Sequence, residues 1–216
     1  MAKSTQGRST GAKSAAEAPT IHIVDDDGAI RTALDSLFRS VGHATRLFGS
    51  AQEFLQSGHT GAAGCLVLDI RLPGLSGLDF QDRLVGAGVH MPVILMTGHG
   101  DIPMTVRGMK AGAVDFLTKP FRDQDMLDAV AIALERDAAS RAERAGLDDL
   151  RARYAELTAR EKEIMAHVAT GLMNKQIAYE LGLSEITIKI HRSNAMKKMG
   201  AKSVVEFVKM AEQLKA

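Results

Sequence analysis

Short apolar runs alternate with amphipathic stretches between residues 20 and 135, and this alternation constrains the fold more than any other feature of the chain. The strand-like runs are 21–24, 44–48, 65–68, 93–96 and 114–117. Residues 29–41 carry apolar side chains at three- and four-residue spacing and stop before Gly42, which is typical of a helix. Repeated strand–helix units imply right-handed crossovers and a parallel sheet covered on both faces. The sequence therefore predicts an α/β domain with a flavodoxin-like, doubly wound, five-stranded parallel sheet.

Polar residues stand at the carboxyl ends of four of these runs, where a parallel sheet would bring them to one edge. They are Asp25, Asp26 and Asp27 after the first run, Asp69 after the third, Thr97 after the fourth and Lys119 after the fifth. Mg²⁺ prefers oxygen ligands, and one or two carboxylates with a phosphate oxygen can complete its shell. We therefore expect a magnesium site with Asp26 and Asp69 as direct ligands and Asp25 acting through a coordinated water.

The same residues predict phosphoryl chemistry. Asp69 is expected to be the phosphoacceptor, because an Asp carboxylate can form an aspartyl-phosphate. The Thr97 hydroxyl and the Lys119 ammonium would each contact a phosphoryl oxygen. Without metal, the clustered carboxylates should raise one another's pKa, and Lys119 should partly offset this. Each residue alone has an ordinary structural alternative, such as a helix cap for Asp27, but their joint placement favours the phosphoryl site.

The chain after residue 137 differs in charge from the part before it. Residues 20–137 carry 10 basic and 15 acidic side chains, whereas residues 151–216 carry 12 basic and 7 acidic ones. This asymmetry indicates two domains with different partners, and the basic one is the candidate for binding nucleic acid. Residues 138–155 are predicted to form a helical linker, either a dimerising helix or a solvated spacer, with a break at Gly146 and Asp148-Asp149.

The segment 156–216 has the sequence signals of four helices. The residues expected to begin or separate them are Thr158 with Glu161 in a capping box, Asn174, Gly182, Ser184 and Ser203. A helix, a tight glycine turn and a second helix make a helix-turn-helix, so we predict a small all-α, four-helix domain. At about 100° per residue, one face of the third helix should carry basic and small side chains suited to a major groove. That face holds Lys189, Ile190, Ser193 and Lys197.

Several motifs of the first domain resemble the receiver domain of two-component response regulators. They are Val24-Asp25-Asp26, residues 68–77, Thr97-Gly98-His99-Gly100 and Lys119-Pro120. The resemblance implies that a sensor histidine kinase phosphorylates Asp69 and that the Arg71 carbonyl completes the metal shell. It also implies a cis peptide at Lys119-Pro120 and a switch aromatic at Phe116. Arg71 and His99 would flank the site, either tuning the lifetime of the acyl phosphate or serving as surface residues.

The C-terminal domain resembles the LuxR/NarL-type helix-turn-helix over residues 157–163, 174–178 and 184–194. By that resemblance, Lys189, Ile190 and Ser193 face the bases. The same resemblance assigns contacts with the DNA backbone to Asn174, Lys175 and Thr187. Lys197, near the end of the third helix, suits either a phosphate or the helix dipole. The layout of both domains together is most similar to the FixJ branch of these regulators.

The combined expectation is a transcription regulator, not an enzyme, in which phosphorylation of Asp69 controls dimerisation and binding to promoter DNA. RNA polymerase is a further candidate partner. One alternative is a DNA-binding regulator whose receiver does not take phosphate. Another is a phosphatase of the haloacid-dehalogenase type, which would need its nucleophile after the first strand and another acid pair after the lysine.

The remaining features concern location. No apolar run approaches the ~20 residues that span a membrane, so no membrane contact is expected. The single cysteine, Cys65, fits a reducing cytoplasm. Residues 1–19 lack the apolar core of a secretory signal and are predicted to be a flexible tail.

Overall fold

A computed structural model of the chain describes residues 18–98 and 102–215. Most of the predicted tail, residues 1–17, and His99 lie outside the described residues. The chain divides into two compact units between Ala139 and Ser140. Among the described residues, no helix is long and apolar enough to cross a membrane.

The first unit contains the predicted parallel sheet. In the described residues its strands are β1 (Thr20–Val24), β2 (Ala44–Phe48), β3 (Gly64–Asp69), β4 (Val93–Thr97) and β5 (Asp115–Thr118). They pair in the order β2-β1-β3-β4-β5, and every pair is parallel. All six residues of β3 are buried, as expected for a central strand covered on both faces. The predicted doubly wound fold is confirmed.

Helices cover both faces of this sheet. They are α1 (Gly28–Ser40), α2 (Ala51–Gln56), α3 (Gly77–Gly86), α4 (Ile102–Lys110) and the start of α5 (Asp123–Ala155). One apolar layer packs Phe38 of α1 and Met126 of α5 against the sheet. The opposite layer packs Phe54 of α2 and Phe80 of α3 against it. Because all strand pairs are parallel, the carboxyl ends of the strands lie at one edge of the sheet.

Gly108 allows α4 to lie close to the sheet. This residue is buried, and a Cβ built there would lie only 2.4 Å from Cδ1 of Leu95 in β4 and 3.7 Å from Cδ2 of Phe116 in β5. Any larger side chain would therefore require the side chains of Leu95 and Leu78, or α4 itself, to shift.

The second unit, residues 140–216, is helical in its described part. It contains the end of α5, followed by α6 (Ala159–Ala169), α7 (Asn174–Leu181), α8 (Glu185–Met199) and α9 (Val204–Lys215). Its core buries Leu150 of α5 together with Ile164, Ile188 and Phe207 of the later helices. The capping box is present: the Thr158 hydroxyl accepts from Glu161 N, and the Glu161 carboxylate accepts from Thr158 N.

The break predicted near Gly146 is wrong, because residues 146–149 lie inside α5. A single glycine costs a helix only about 1 kcal/mol, and the burial of Leu150 in the core of this unit opposes that cost. The carboxylates of Asp148 and Asp149 pair along the helix with Arg151 and Arg153, at 3.3 and 2.7 Å, which supports the helical conformation. The local composition indicated a break in the helix, but packing of Leu150 in the core stabilises a continuous helix.

Candidate functional site

Three carboxylates meet at the carboxyl edge of the sheet. Asp25 and Asp26 follow β1, and Asp69 is the last residue of the neighbouring strand β3. Each offers one oxygen, and these oxygens lie within 4.8 Å of one another. Asp25 and Asp69 are buried, whereas Asp26 is exposed. This juxtaposition was predicted because parallel strands bring their carboxyl ends to one edge of the sheet.

Lys119 follows the edge strand β5 and contacts two of these acids. Its Nζ donates to Asp25 Oδ2 at 2.6 Å and to Asp69 Oδ1 at 3.2 Å. The Lys119 side chain is 18% exposed, so solvent screens these ion pairs only partly. The backbone N–H of Lys119 also donates to the Thr97 carbonyl at 2.7 Å, and the Lys119-Pro120 peptide is cis. The pairing with Asp25 was not predicted from sequence, since those residues lie 94 positions apart.

The electrostatics of the site reflect burial and crowded charge. Burial raises the pKa of Asp69, and the nearby carboxylate of Asp25 adds to this, while the Lys119 ammonium opposes it. For Lys119, burial disfavours the ammonium, but the hydrogen bond to Asp25 and the charges of Asp69 and Asp25 outweigh it. The pKa of Lys119 therefore lies above its ordinary value. A site with crowded, partly buried carboxylate oxygens suits a hard divalent cation such as Mg²⁺.

The other predicted residues lie around this edge. Thr97 is fully buried at the end of β4. Arg71 has an exposed side chain in the loop two residues after Asp69. Phe116 is half-buried on β5 and packs against the apolar layer that contains Phe80. The Asp27 carboxylate caps α1 by accepting from Ala29 N at 2.8 Å, so the helix-cap role predicted as its alternative is confirmed.

Gly77 allows the loop that follows Asp69 to fold back against the end of β3. A Cβ at Gly77 would lie 2.3 Å from the Asp69 carbonyl oxygen and 2.8 Å from Cα of Ile70. Gly77 N donates to the Ile70 carbonyl at 2.8 Å, which closes the loop back on the strand end. The start of α3 can therefore lie directly against Asp69 only because residue 77 has no side chain.

The helix-turn-helix forms as predicted. Helix α7 ends at Gly182, whose φ of 62° lies in the left-handed region that glycine favours. Ser184 caps α8 by accepting from Thr187 N at 3.1 Å. On α8, Ile188, Ala195 and Met199 are buried. The predicted base-facing residues Lys189, Ile190 and Ser193 are exposed, as is Lys197.

The predicted backbone contacts lie at the two helix starts. Lys175 is exposed on the first turn of α7, next to half-buried Asn174. Thr187 is half-buried on the first turn of α8, and its hydroxyl lies 2.8 Å from that of Ser184. Lys189 pairs along the helix with Glu185 at 3.3 Å, an exposed contact that a phosphate or a base could replace at little cost.

Arg192 also contributes to this surface, although its helical phase puts it on the same face of α8 as the buried residues Ile188 and Ala195. Its Nη1 donates to Asn174 Oδ1 at 2.8 Å, linking α8 to the start of α7. Arg192 and Met196 also line a groove of about 410 Å³ together with Asn174, Lys189, Ser193 and Lys197. Helical phase gave no signal for this, because a long arginine side chain can reach round the helix from a half-buried position.

Comparisons with known proteins match both units. Residues 21–131 match the response regulator receiver domain, and residues 155–211 match the bacterial regulatory proteins of the luxR family. The chain is 55% identical over 194 residues to Nodulation protein W of Bradyrhizobium diazoefficiens, covering 90% of this chain and 86% of that one. It is 43% identical over 195 residues to the transcriptional regulatory protein FixJ of Azorhizobium caulinodans, covering 90% and 92%.

A solved structure agrees with these relatives. The response regulator StyR superposes with a TM-score of 0.82 at 44% identity, covering 91% of this chain and 99% of that one. The matched segments contain the acid cluster with Lys119 and the helix-turn-helix. This chain belongs to the two-component response regulators that combine a receiver domain with a LuxR-type DNA-binding domain.

Proposed function

We propose that phosphorylation of Asp69 by a sensor histidine kinase switches this regulator between two states with different affinities for promoter DNA. The observation that carries the proposal is the double contact of Lys119 with Asp25 and Asp69 at the edge of the sheet. It holds the acceptor beside a fixed positive charge, in an acid cluster that suits a divalent cation. A DNA-reading helix on the same chain gives the switch an output.

The transfer step needs positioning more than covalent help. An oxygen of the Asp69 carboxylate attacks the phosphorus of a phosphohistidine, a P–O bond forms, and the P–N bond to the imidazole breaks. The proton needed by the leaving imidazole comes from solvent or from the kinase. On this chain, Lys119 would neutralise one phosphoryl oxygen, and the Thr97 hydroxyl would donate to another. Burial raises the pKa of Asp69, and the Lys119 ammonium opposes this rise, which favours the carboxylate that attacks the phosphorus.

Asp25, Asp26, Asp69 and the Arg71 carbonyl would hold Mg²⁺, with Asp25 acting through a water. When bound, the ion supplies positive charge that offsets the charge of the incoming phosphoryl group. Asp26 is exposed, so a phosphodonor would reach this acid cluster from solvent.

Dimerisation would connect phosphorylation with DNA binding. The proposed pairing face is formed by α4, β5 and the start of α5, residues 123–136, and Phe116 is the proposed switch residue on β5. In support, Ile102 is 81% exposed, and Val106 and Met109 are each 44% exposed along α4. Three exposed apolar side chains on one short helix form a patch of the kind that another protein surface covers. A two-fold pair of receivers would present two α8 helices to a two-fold operator.

On DNA, the outward face of α8 would enter the major groove. Lys189, Ile190 and Ser193 would face the bases, while Asn174, Lys175 and Thr187 would contact the sugar–phosphate backbone. Lys197 would contact a phosphate. RNA polymerase is the proposed downstream partner, and the cytoplasm is the proposed site of action.

The test combines phosphorylation with oligomeric state and DNA binding. Wild type, Asp69→Asn and the control Asp82→Asn, an exposed carboxylate paired with Arg107, are treated with Mg²⁺ and radiolabelled acetyl phosphate. Wild type and the control should gain one hydroxylamine-labile label, dimerise in light scattering and bind selected genomic fragments more tightly. Asp69→Asn should do none of these, and Val106→Asp should take the label without dimerising.

Two results would decide for the alternatives. Equal DNA binding by wild type and Asp69→Asn, with and without phosphodonor, would mean a regulator whose receiver is not a phosphorylation gate. Sustained hydrolysis of a phosphoaspartyl substrate would indicate the phosphatase. That alternative has no support at the second acid pair, since Asp123 and Asp125 lie in the first turn of α5 and Asp125 pairs with Arg122.

A further inference from the structure

Ile186 is an exposed, branched apolar residue at the start of α8. Its side chain is 71% exposed, and Ile190, one turn later, is 56% exposed. Neither belongs to the apolar core of the C-terminal unit, which takes Ile188 between them. Branched apolar residues also lower helix propensity, so neither burial nor helix formation accounts for this pair.

The helical phase of α8 places both isoleucines at the centre of its outward face. Taking ~100° per residue, Ile186 and Ile190 lie about 20° to either side of the direction opposite to buried Ile188. Ser193 and Lys197 continue the same stripe along the helix. Ile186 is therefore the residue of this stripe nearest to the amino end of α8.

Chemistry narrows what Ile186 can contact. In helix-turn-helix proteins the amino-terminal residues of the reading helix reach the base edges. The C5-methyl of thymine is the apolar group that a base pair presents in the major groove. Two exposed lysines, Lys189 and Lys197, lie on the same helix as the isoleucines, and Lys189 pairs with the exposed Glu185. A basic surround favours the phosphate backbone of DNA over an apolar protein surface as the occupant.

We propose that Ile186 is a specificity-determining residue that, with Ile190, contacts thymine methyl groups in the operator. This inference rests on the proposed DNA-binding function and adds a base-contacting residue to it. The ligand is defined by its chemistry: a 5-methylpyrimidine at one position of each half-site, and a base without that methyl should bind more weakly.

The experiment uses the full chain with Mg²⁺ and acetyl phosphate. A binding motif is first selected from random duplex DNA, and each thymine in it is then replaced by deoxyuridine, which removes only the methyl. For wild type, at least one replacement should weaken binding by about three- to five-fold, the equivalent of one buried methyl group. Ile186→Ala should bind the thymine operator as weakly as wild type binds that deoxyuridine operator, and should be insensitive to the replacement.

Val205→Ala is the matched control, because Val205 is 66% exposed on α9, away from the α8 stripe. It should keep both the affinity and the sensitivity to deoxyuridine. The deoxyuridine series with wild type alone already tests the methyl contact, should Ile186→Ala fold poorly.

The outcomes separate this inference from the function on which it rests. If no motif is enriched, DNA recognition itself fails, and the inference fails with it. If a motif is enriched and Lys197→Gln weakens binding, but Ile186→Ala keeps wild-type sensitivity to every replacement, the function stands and the role of Ile186 is refuted. If Ile186→Ala binds DNA as wild type does but no longer binds another protein that wild type binds, Ile186 belongs to a protein interface and the proposal is overturned.

Discussion

His22 offers the sharpest test of how this receiver is stabilised. It lies on β1 with no exposed surface, its ring 5.5 Å from that of Phe54 and 5.9 Å from that of His59, measured between centroids. Neither of its ring nitrogens has a hydrogen-bond partner among the described residues. A buried polar group without a partner costs about 1–3 kcal/mol. Replacing His22 with Leu, which has a similar volume and no polar atom, should therefore stabilise the receiver by at least about 1 kcal/mol at pH 8.

The pH dependence gives a second magnitude. Burial, with the charges of His59 and Arg46, lowers the pKa of His22 to about 4. The unfolded chain binds the proton with a pKa of ~6.5. Between these values the unfolded state holds more protons than the folded state, so the free energy of unfolding decreases as pH falls. From this residue alone the decrease is about 2 kcal/mol by pH 5 and about 3 kcal/mol in total.

The assay must report the receiver and not the C-terminal unit. Both tyrosines, Tyr154 and Tyr179, lie in the C-terminal unit, so tyrosine fluorescence does not follow the unfolding of β1. Hydrogen exchange of β1 and β3 peptides in urea, read by mass spectrometry from pH 8 to pH 5, follows it directly. His90→Leu makes the same substitution at an exposed histidine and serves as the control.

The difference between His22→Leu and wild type should grow by about 2 kcal/mol from pH 8 to pH 5, whereas His90→Leu should stay parallel to wild type. A constant difference across this range would refute the reasoning, because it would mean that His22 takes up its proton equally in both states. A destabilised variant at pH 8 would refute the claim that the unpaired ring nitrogens are costly.

Three further predictions concern packing and capping. Gly108→Ala should lower the stability of the receiver by about 1–3 kcal/mol, measured by the same exchange experiment, because a Cβ there has no room beside the sheet. Arg153→Met should lower the stability of the C-terminal unit by about 1 kcal/mol, measured by urea unfolding with tyrosine fluorescence, because the Arg153 guanidinium donates to the Met199 carbonyl at 3.1 Å. Arg153→Lys should restore part of this stability. An unchanged urea midpoint for Arg153→Met would contradict a stabilising role for the bond to Met199. Burial disfavours the Glu161 carboxylate, but the hydrogen bond from Lys198 at 2.7 Å and the bonds with Thr158 outweigh it and hold its pKa below the ordinary value. The stability from this contact should therefore be present above pH ~4.3 and be lost as the pH falls further, and Glu161→Gln should flatten that acid decrease in the same fluorescence assay.

The residues that meet at the carboxyl edge of the sheet could be predicted because each follows a strand-like run. Strand-like runs of four to six residues can be recognised locally, and parallel pairing then brings their carboxyl ends to one edge without further information. Asp25, Asp69 and Lys119 meet there for this reason. Helix ends were equally predictable, since Asp27, Thr158 and Ser184 cap their helices through contacts with residues at most three positions away.

The amino-acid sequence by itself therefore determined the order of the elements, their caps and the set of side chains at the strand ends, all of which depend on short-range patterns. Only the tertiary structure decided which groups touch across long separations: Lys119 with Asp25 across 94 residues, and Arg192 with Asn174 across the helix-turn-helix. It also decided that α5 continues through Gly146, because packing around Leu150 outweighs a local preference of about 1 kcal/mol. Burial is a property of the assembled core, so the fully buried, unpaired ring nitrogens of His22 could not be predicted from its neighbours in sequence.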